Sequence, residues 1–452
     1  MKPHLSLLTL CLLLGACGST AQRPDSGIQP PSSWQSPHTQ NATHRNLQWW
    51  TQFGSPELDR LIEQARVGSY DLAAAIARVR QAQADTVIAG GSLLPEVKAG
   101  LNANRQKLLR GSGYSQLDAD SSNKAVDYFD ANLSATYEID FWGGQRASRD
   151  SAQFGLQASE FDRATVELTL LSGVANSYAQ ALSLREQSRI AGLNLANAQN
   201  VLNLVQTRFD SGSATALELA QQKSLVAAQQ RQLPLVQQQA QDALISLAAL
   251  LGRPVQQLRL GAERFEQLSW PTIAAGVPSE LLTRRPDIAR AEAQLAAAQA
   301  DVTVARAAML PAVTLSAELG SGADRAADIL RNPFYNLTAG LLAPVFNNGR
   351  LSAERDKATA RQEELLENYR GAIINGFADV EKALNGIRGL DEQRQWQVEE
   401  LNQAQTAFNI AQSRYEAGAE DLLTVLETQR TLYAAQDLNV QLRLSRLQAS
   451  IA

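Results

Sequence analysis

The chain has 452 residues, of which 44% are hydrophobic and 19% charged, and its formal net charge is -5. This length and hydrophobic content suit a sizeable core or about two to three ordinary domains. The mildly acidic balance lacks the concentrated basic surface that phosphate binding needs, so we expect no nucleic-acid partner.

The positions of cysteine and histidine exclude most enzyme chemistry. The two cysteines are Cys11 and Cys17, and the three histidines are His4, His38 and His44. All of them precede the region that we expect to fold, which therefore has no Cys nucleophile, His triad or usual zinc ligand set. We expect no enzyme, no metal site and no cofactor, although chemistry by carboxylates alone stays formally possible.

The N-terminus has the pattern of a secretory signal. Lys2 precedes an apolar stretch from Leu5 to Leu14, which is too short to span a bilayer. The sequence Leu14-Gly15-Ala16-Cys17 resembles a bacterial lipobox, in which the chain is cut before the cysteine and the thiol is acylated. We predict a signal peptide at 1–16, lipidation of Cys17 and an extended tether at 17–48; the alternative is an ordinary signal peptide with a chance cysteine.

The first predicted helix begins after this tether. Ser55 can cap a helix and Pro56 suits its first position. The helical pattern then continues to about Ala89, where Gly90 and Gly91 are expected to break it.

Two β-hairpins are predicted from alternating apolar and polar residues. The clearest stretch is 129–141, in which every second residue is apolar and every residue between is polar. The stretches 97–104, 313–319 and 335–341 alternate in the same way. They predict hairpins at about 95–141 and 311–346, with polar, exposed loops near 110–124 and 320–333.

Very long helices are predicted after each hairpin. Neither 145–209 nor 349–415 contains a proline, and at a rise of about 1.5 Å per residue each helix could extend for roughly 100 Å. A heptad pattern near the ends of both helices predicts supercoiled packing. Its positions are Ala191, Leu195, Ala198, Leu202, Val205 and Phe209, and then Gln397, Leu401, Ala404, Phe408, Ala411 and Tyr415.

The chain repeats itself after about two hundred residues, which indicates a tandem duplication. The matching segments are Asp71-Leu72 with Asp287-Ile288, Asp85 with Asp301, Leu94-Pro95 with Leu310-Pro311, and Arg208-Phe209-x-x-Gly212 with Arg414-Tyr415-x-x-Gly418. We predict a first repeat at 49–270, with long helices at about 145–251. The second repeat is expected at 271–452, with long helices at about 349–450.

Strands of this length with one apolar and one polar face suit an outer-membrane β-barrel. Four strands cannot close a barrel, and an open sheet edge cannot face lipid. We therefore predict that three copies pool their strands into a twelve-stranded barrel around an aqueous channel. The alternative from the strands alone is a soluble sandwich with one buried face.

Several motifs together resemble a known family. They are Trp49-Trp50 with Phe53, Phe141-Trp142-Gly143-Gly144, Arg284-Arg285-Pro286-Asp287-Ile288, Pro344 to Arg350, and the paired Arg-Phe/Tyr-x-x-Gly units. The chain resembles the outer membrane factors of bacterial tripartite efflux systems, the TolC-like group, and within it the lipidated NodT or OprM-type branch. The resemblance implies a mainly α-helical homotrimer whose twelve-stranded barrel continues into a periplasmic helical barrel. The implied partners are outer-membrane lipid, a periplasmic adaptor (membrane fusion) protein and an inner-membrane pump of RND type.

The same resemblance assigns roles to the two helix-to-helix turns at the periplasmic end. Its expected gate residues are Arg414, Glu420, Asp421 and Arg430. Repeated around a threefold axis, the two acids would form a negative ring that favours cations. The alternative is that they are ordinary solvated turn residues. The expected adaptor contacts are Arg208, Phe209, Gly212, Leu217, Tyr415, Gly418, Leu422 and Leu423, and the turns also contain Thr215 and Leu219.

The function predicted from all of this is a passive outer-membrane duct that exports small molecules. No Gly-x-x-x-x-Gly-Lys-Ser/Thr loop is present, so the energy must come from another protein. Two alternatives remain open at this point: a duct for peptide or protein secretion, and a lipid-anchored helical tether that does not conduct.

Overall fold

The computed structural model describes residues 25–35, 48–107, 125–261, 263–271, 273 and 276–452. The predicted signal peptide, Cys17, most of the predicted tether and the loop near 110–124 lie outside these residues. The strands are β1 (Glu96–Gln106), β2 (Val126–Ile139), β3 (Ala312–Ala323) and β4 (Pro333–Leu342). The helices are α1 (Pro56–Gly68), α2 (Tyr70–Gly91), α3 (Gly144–Asp210), α4 (Ala216–Leu250), α5 (Pro278–Arg284), α6 (Pro286–Ala307), α7 (Arg350–Glu416) and α8 (Leu422–Ile451).

The first helix begins as predicted but is shorter than predicted. The Ser55 hydroxyl accepts a hydrogen bond from the Leu58 amide at 3.0 Å, which caps α1. The helix ends at Gly68 rather than near Ala89, because the backbone packs closely there against Gly252. A Cβ atom on Gly252 would lie 2.0 Å from the Gly68 carbonyl oxygen, and its φ of 67° is left-handed. A second helix, α2, then continues to Gly91.

The two long helices are confirmed. α3 and α7 each contain 67 residues without interruption. On α7 the predicted heptad positions are buried or half-buried, including Gln397, whose side-chain amide donates to the Ala435 carbonyl at 3.0 Å. This hydrogen bond explains how a polar residue fits the heptad without an unpaired donor.

The heptad on α3 is only half right. Ala191, Ala198 and Val205 are buried as predicted, but Phe209 is 37% exposed. The other buried residues on this face of α3 are Asn194 and Val201, rather than the predicted Leu195, Leu202 and Phe209. The other predicted row, which consists of Leu195, Leu202 and Phe209, lies on a helix face that the protomer covers only in part.

The four strands form one antiparallel sheet in the order β1-β2-β3-β4. The register keeps polar residues opposite polar residues, so they share one face. The Asn102 amide donates to Asp130 at 2.8 Å across β1 and β2, and the Asn132 amide donates to Glu318 at 3.2 Å across β2 and β3. The alternation in the sequence is therefore confirmed as the two faces of a sheet.

The third strand is longer than predicted. Residues Gly320–Ala323, which we expected in a loop, continue β3 and pair with β2. Two glycines in this segment leave room for aromatic rings from neighbouring strands. A Cβ on Gly320 would lie 2.6 Å from the Phe334 ring, and one on Gly322 would lie 2.7 Å from the Tyr128 ring. The glycines, which suggest a loop in the sequence, are here covered by cross-strand aromatics.

The chain forms two compact units, and each draws on both halves of the sequence. One unit contains the described parts of 1–27, 78–161 and 289–371, including all four strands. The other contains the described parts of 28–77, 162–288 and 372–452. Its larger core includes Leu58, Ile62, Val174, Tyr178 and Leu247. A second core, near the helix-to-helix turns, includes Val205, Phe408, Tyr415, Leu422 and Val425.

Part of the predicted tether packs against helix α7. The Ser26 carbonyl accepts a hydrogen bond from Arg370 at 2.9 Å. Further along, the Trp34 indole N–H donates to the Gly276 carbonyl at 3.0 Å, and its ring contacts Phe377 edge to face. These contacts attach an otherwise extended segment to the folded protein.

Candidate functional site

The candidate site consists of two helix-to-helix turns. Turn 1, residues 211–215, joins α3 to α4, and turn 2, residues 417–421, joins α7 to α8. Gly212 has a φ of 77° and Gly418 a φ of 75°, the left-handed conformation that ends a helix. Glycine takes this conformation without the steric cost that other residues pay.

The two turns use the same backbone hydrogen bonds. In turn 1 the Ser213 amide donates to the Arg208 carbonyl at 2.7 Å, and in turn 2 the Ala419 amide donates to the Arg414 carbonyl at 2.8 Å. Each glycine amide also donates to a carbonyl three residues earlier, at 3.0 Å in both turns. The duplicated sequence thus folds into duplicated local geometry.

The turns differ in how the following helix is capped. The Thr215 hydroxyl accepts from the Glu218 amide at 3.2 Å, and the Glu218 carboxylate accepts from the Thr215 amide at 2.5 Å, which together form a capping box. In turn 2 the cap is Asp421, whose carboxylate accepts from the Thr424 amide at 2.9 Å. Hydrogen bonds from the amide and hydroxyl of Thr424 hold the pKa of the Asp421 carboxyl below its ordinary value.

The structure brings together some of the predicted gate residues. Arg414 Nε lies 3.5 Å from a Glu420 carboxylate oxygen, and the Thr424 hydroxyl donates to the other Glu420 oxygen at 3.2 Å. Arg430 lies on α8 with an exposed side chain, and within the described residues it forms no ion pair with Glu420 or Asp421. Three of the four predicted residues therefore lie together at turn 2, with Arg414 at the end of α7 and Glu420 and Asp421 within the turn.

The predicted adaptor contacts fall into two groups by exposure. Leu217 and Leu423 are 67% and 63% exposed, so both can meet a partner. Tyr415 and Leu422 are instead buried in the core beneath the turns. We therefore expect these two to support the turns rather than contact another protein directly.

A contact between the two turns was not apparent from the sequence. The Arg208 guanidinium lies over the Tyr415 ring, with its central carbon 4.2 Å from the ring centre. It also donates to the carbonyls of Tyr415 and, at 3.3 Å, Glu416. Arg208 thus joins the end of α3 to the end of α7. The repeated motif marks both residues but does not indicate that they meet.

The Tyr415 hydroxyl is buried, and among the described residues no group lies in hydrogen-bonding geometry to it. Burial raises the pKa of this hydroxyl; the positive charge of Arg208 opposes the increase, and the negative charge of Glu218 adds to it. The ring packs and stacks, whereas the hydroxyl is left without an acceptor, which is energetically unfavourable.

A cluster of arginines surrounds Trp270, and no motif in the sequence indicates it. The guanidinium centres of Arg394, Arg443 and Arg446 lie 5.0, 4.6 and 5.7 Å from this ring, and Arg446 pairs with Asp391 at 2.8 Å. Burial lowers the pKa of Arg443, and the like charge of Arg394 adds to the effect. Arg443 donates to two carbonyls of the segment before Trp270, so the cluster holds this segment against α7 and α8.

Substitutions of Arg208 and Tyr415 should distinguish the contribution of the Tyr415 ring to stability from that of its hydroxyl. We expect Arg208→Ala to lower the local stability of both turns by about 1–2 kcal/mol, because the stacking and the hydrogen bonds to carbonyls are lost. Tyr415→Phe should leave stability unchanged or raise it, because the hydroxyl has no partner. Hydrogen exchange of the amides in turns 1 and 2 measures both effects. Equal loss of protection in the two variants would contradict this account.

The described residues show neither a metal-ligand cluster nor a membrane-spanning helix. No group of three or more His, Cys, Asp and Glu side chains in that part of the chain could hold a metal ion. None of the helices described combines the length and hydropathy of a membrane span.

Comparisons with known proteins agree with this architecture. The family model described as outer membrane efflux protein matches residues 61–253 and 277–452. The pyoverdine export outer membrane protein OpmQ of Pseudomonas aeruginosa is 65% identical over 99% of this chain and 95% of its own length. The protein of the same name from Pseudomonas putida is 62% identical over 99% of this chain and 96% of its own.

Solved structures of outer-membrane channels have the same fold. OprN superposes with a TM-score of 0.86 at 25% identity, covering 96% of this chain and 97% of its own. CusC superposes with a TM-score of 0.82 at 26% identity, covering 95% and 97%. The predicted mainly α-helical fold with four strands is confirmed, and so is the predicted family. The chain belongs to the outer membrane efflux protein family and is the outer-membrane channel component of an efflux system.

Proposed function

We propose that the chain is the outer-membrane duct through which pyoverdine leaves the cell. The observation that carries the proposal is the 65% identity to a pyoverdine export protein over 99% of this chain. Other relatives named for toluene or cation efflux are only 29% and 27% identical.

The proposed assembly is a homotrimer with a twelve-stranded barrel. The sheet ends in two strands, β1 and β4, whose outer edges have no partner within the described part of one protomer. Backbone groups on such edges cannot remain unpaired in lipid. Pairing β4 of one copy with β1 of the next satisfies both edges, and three copies close a barrel wide enough for water.

We also infer the tandem repeats and the domain limits given by the sequence, with 49–270 and 271–452 as the two units of duplication. Their support is that α3 and α7 have equal length and end in turns with the same hydrogen bonds. The signal peptide at 1–16 and the tether at 17–48 belong to the same proposal.

The partners proposed for this duct are a periplasmic adaptor and an inner-membrane pump of RND type. The chain has no nucleotide-binding loop, so transport needs a pump that supplies energy. The exposed Leu217 and Leu423, one in each turn region, suit apolar contacts with an adaptor. Gly212 and Gly418 keep the turns tight enough to present these side chains.

The proposed gate is a ring of acids contributed by turn 2 of each protomer. Asp421 carries a carboxylate that its hydrogen bonds keep ionised, and Glu420 lies beside it. Threefold repetition would place these charges around the entrance, where they attract cations and resist anions. Arg414, paired with Glu420, and the exposed Arg430 would complete the entrance.

The rival functions receive less support. A duct for peptide or protein secretion would share the fold, but the relatives reported above are named for export of pyoverdine, toluene or cations. A helical tether that does not conduct would not need four amphipathic strands in one sheet.

Export of pyoverdine can be tested by replacement. We expect this chain to restore extracellular pyoverdine, measured by mass spectrometry, in a Pseudomonas aeruginosa strain that lacks OpmQ. The matched control is CusC of Escherichia coli, which is 27% identical over 97% of this chain and should not restore export. Pyoverdine that stays inside cells whose outer membrane contains this chain would contradict the proposal.

Lipidation can be tested by metabolic labelling. The wild-type protein should incorporate labelled palmitate, and Cys17→Ser should incorporate none, because Cys17 is the first residue after the predicted cut. Cys11→Ser is the control and should label normally, since Cys11 lies within the signal. Equal labelling of wild type and Cys17→Ser would exclude an anchor at this position.

The acidic ring can be tested by conductance in planar bilayers. We expect small, cation-selective currents from the wild type. Currents from Glu420→Gln/Asp421→Asn should be larger and less selective, because the charge is removed while Asn retains the helix cap. Glu363→Gln, an exposed acid much earlier on α7, is the control for loss of charge alone. Unchanged selectivity in the double variant would reject the ring, and no current from a verified trimer would reject the duct.

A further inference from the structure

We propose that Arg414 stacks on Phe209 of the neighbouring protomer, as Arg208 stacks on Tyr415 within one protomer, and that Glu420 competes for Arg414. The inference rests on the proposed trimer and adds a named contact between its subunits.

The contact within the protomer provides the pattern. Arg208, in the last turn of α3, lies over the Tyr415 ring in the last turn of α7 and donates to the Tyr415 and Glu416 carbonyls. An arginine just before turn 1 thereby holds the aromatic residue just before turn 2.

The duplication supplies the reciprocal pair. A shift of 206 residues converts Arg208 into Arg414, Phe209 into Tyr415 and Gly212 into Gly418. Both turns have the same left-handed glycine and the same hydrogen bonds, so the positions are equivalent in structure as well as in sequence. The reciprocal contact would join Arg414 to Phe209. Within the described protomer both are left exposed, with 59% of the Arg414 side chain and 37% of Phe209 accessible.

Closure of a ring explains why this second contact needs another copy. In a trimer, turns 1 and 2 alternate around the axis, so each turn 2 has its own turn 1 on one side and the turn 1 of the next protomer on the other. Each arginine then points in the same direction around the ring. Such head-to-tail contacts form a closed ring when the rotation closes.

One difference between the turns makes the second contact breakable. Arg414 lies 3.5 Å from Glu420, whereas the residue equivalent to Glu420 in turn 1 is Ala214. Arg208 therefore meets no carboxylate at this position and stays on the Tyr415 ring. Arg414, in contrast, can contact either Glu420 or the Phe209 ring of the neighbouring protomer. An exposed ion pair and an exposed cation–π contact are both weak, so small movements can exchange them.

Cross-linking tests the contact directly. The only cysteines, Cys11 and Cys17, precede the described residues, so introduced thiols report on chosen positions alone. Phe209→Cys/Arg414→Cys, treated with a short bifunctional thiol reagent, should give covalent dimers and trimers on a denaturing gel. The matched control Arg208→Cys/Tyr415→Cys should cross-link within one chain and remain a monomer on the same gel.

The outcomes separate this inference from the trimer itself. If native mass spectrometry finds trimers and the control pair links within its chain, but the Phe209/Arg414 pair gives no product between chains, the contact is wrong and the trimer stands. If no trimer forms even in the wild type, the proposed assembly fails as well.

A second measurement uses no cysteines. We expect Arg414→Ala and Phe209→Ala each to shorten the half-life of the trimer in detergent at raised temperature, and the double variant to be no worse than the more severe single one. In a Glu420→Ala background the same pair should be more strongly coupled, because the competing carboxylate is gone. Independent effects that multiply in both backgrounds would overturn the proposal.

Discussion

A backbone amide or carbonyl group in lipid must form a hydrogen bond within the protein. Leaving one such group unpaired costs several kcal/mol. The four-stranded sheet satisfies its inner strands through the β1–β2, β2–β3 and β3–β4 pairings, but its two outer edges still require partners. In the proposed barrel, this requirement would make a single protomer incomplete. The amphipathic strands and the proposed threefold assembly can all be understood as consequences of it.

Turns 1 and 2 share one local backbone structure, but their side chains differ. The left-handed glycine and the two backbone hydrogen bonds described above occur in both turns. The side chains are not the same: turn 1 is capped by Thr215 with Glu218, whereas turn 2 is capped by Asp421 and carries Glu420. A duplicated scaffold thus provides two equivalent positions at which charge can differ without a change of fold.

Much of this architecture could be predicted because its signals are local. Alternating apolar and polar residues predict the strands, the absence of proline predicts the long helices α3 and α7, and Gly212 and Gly418 predict the turns. Failures arose where distant segments decide the outcome. The break after Gly68 depends on the backbone of Gly252, and β3 continues through its glycines because aromatic rings from other strands cover them. The stacking of Arg208 on Tyr415 joins residues more than two hundred positions apart, and no periodicity reveals it.

With Cys17 lipidated as proposed, the contacts of the N-terminal segment would limit how far beneath the membrane the helices can lie. The Ser26 carbonyl accepts a hydrogen bond from Arg370 of α7, and nine Cα-to-Cα steps along the chain lead from Cys17 to Ser26. A fully extended chain of that length covers about 30 Å. An acyl chain on Cys17 would therefore keep Arg370 within about that distance of the inner leaflet. The anchor would then limit how far along α7 the bilayer surface can lie from Arg370, in addition to retaining the protein.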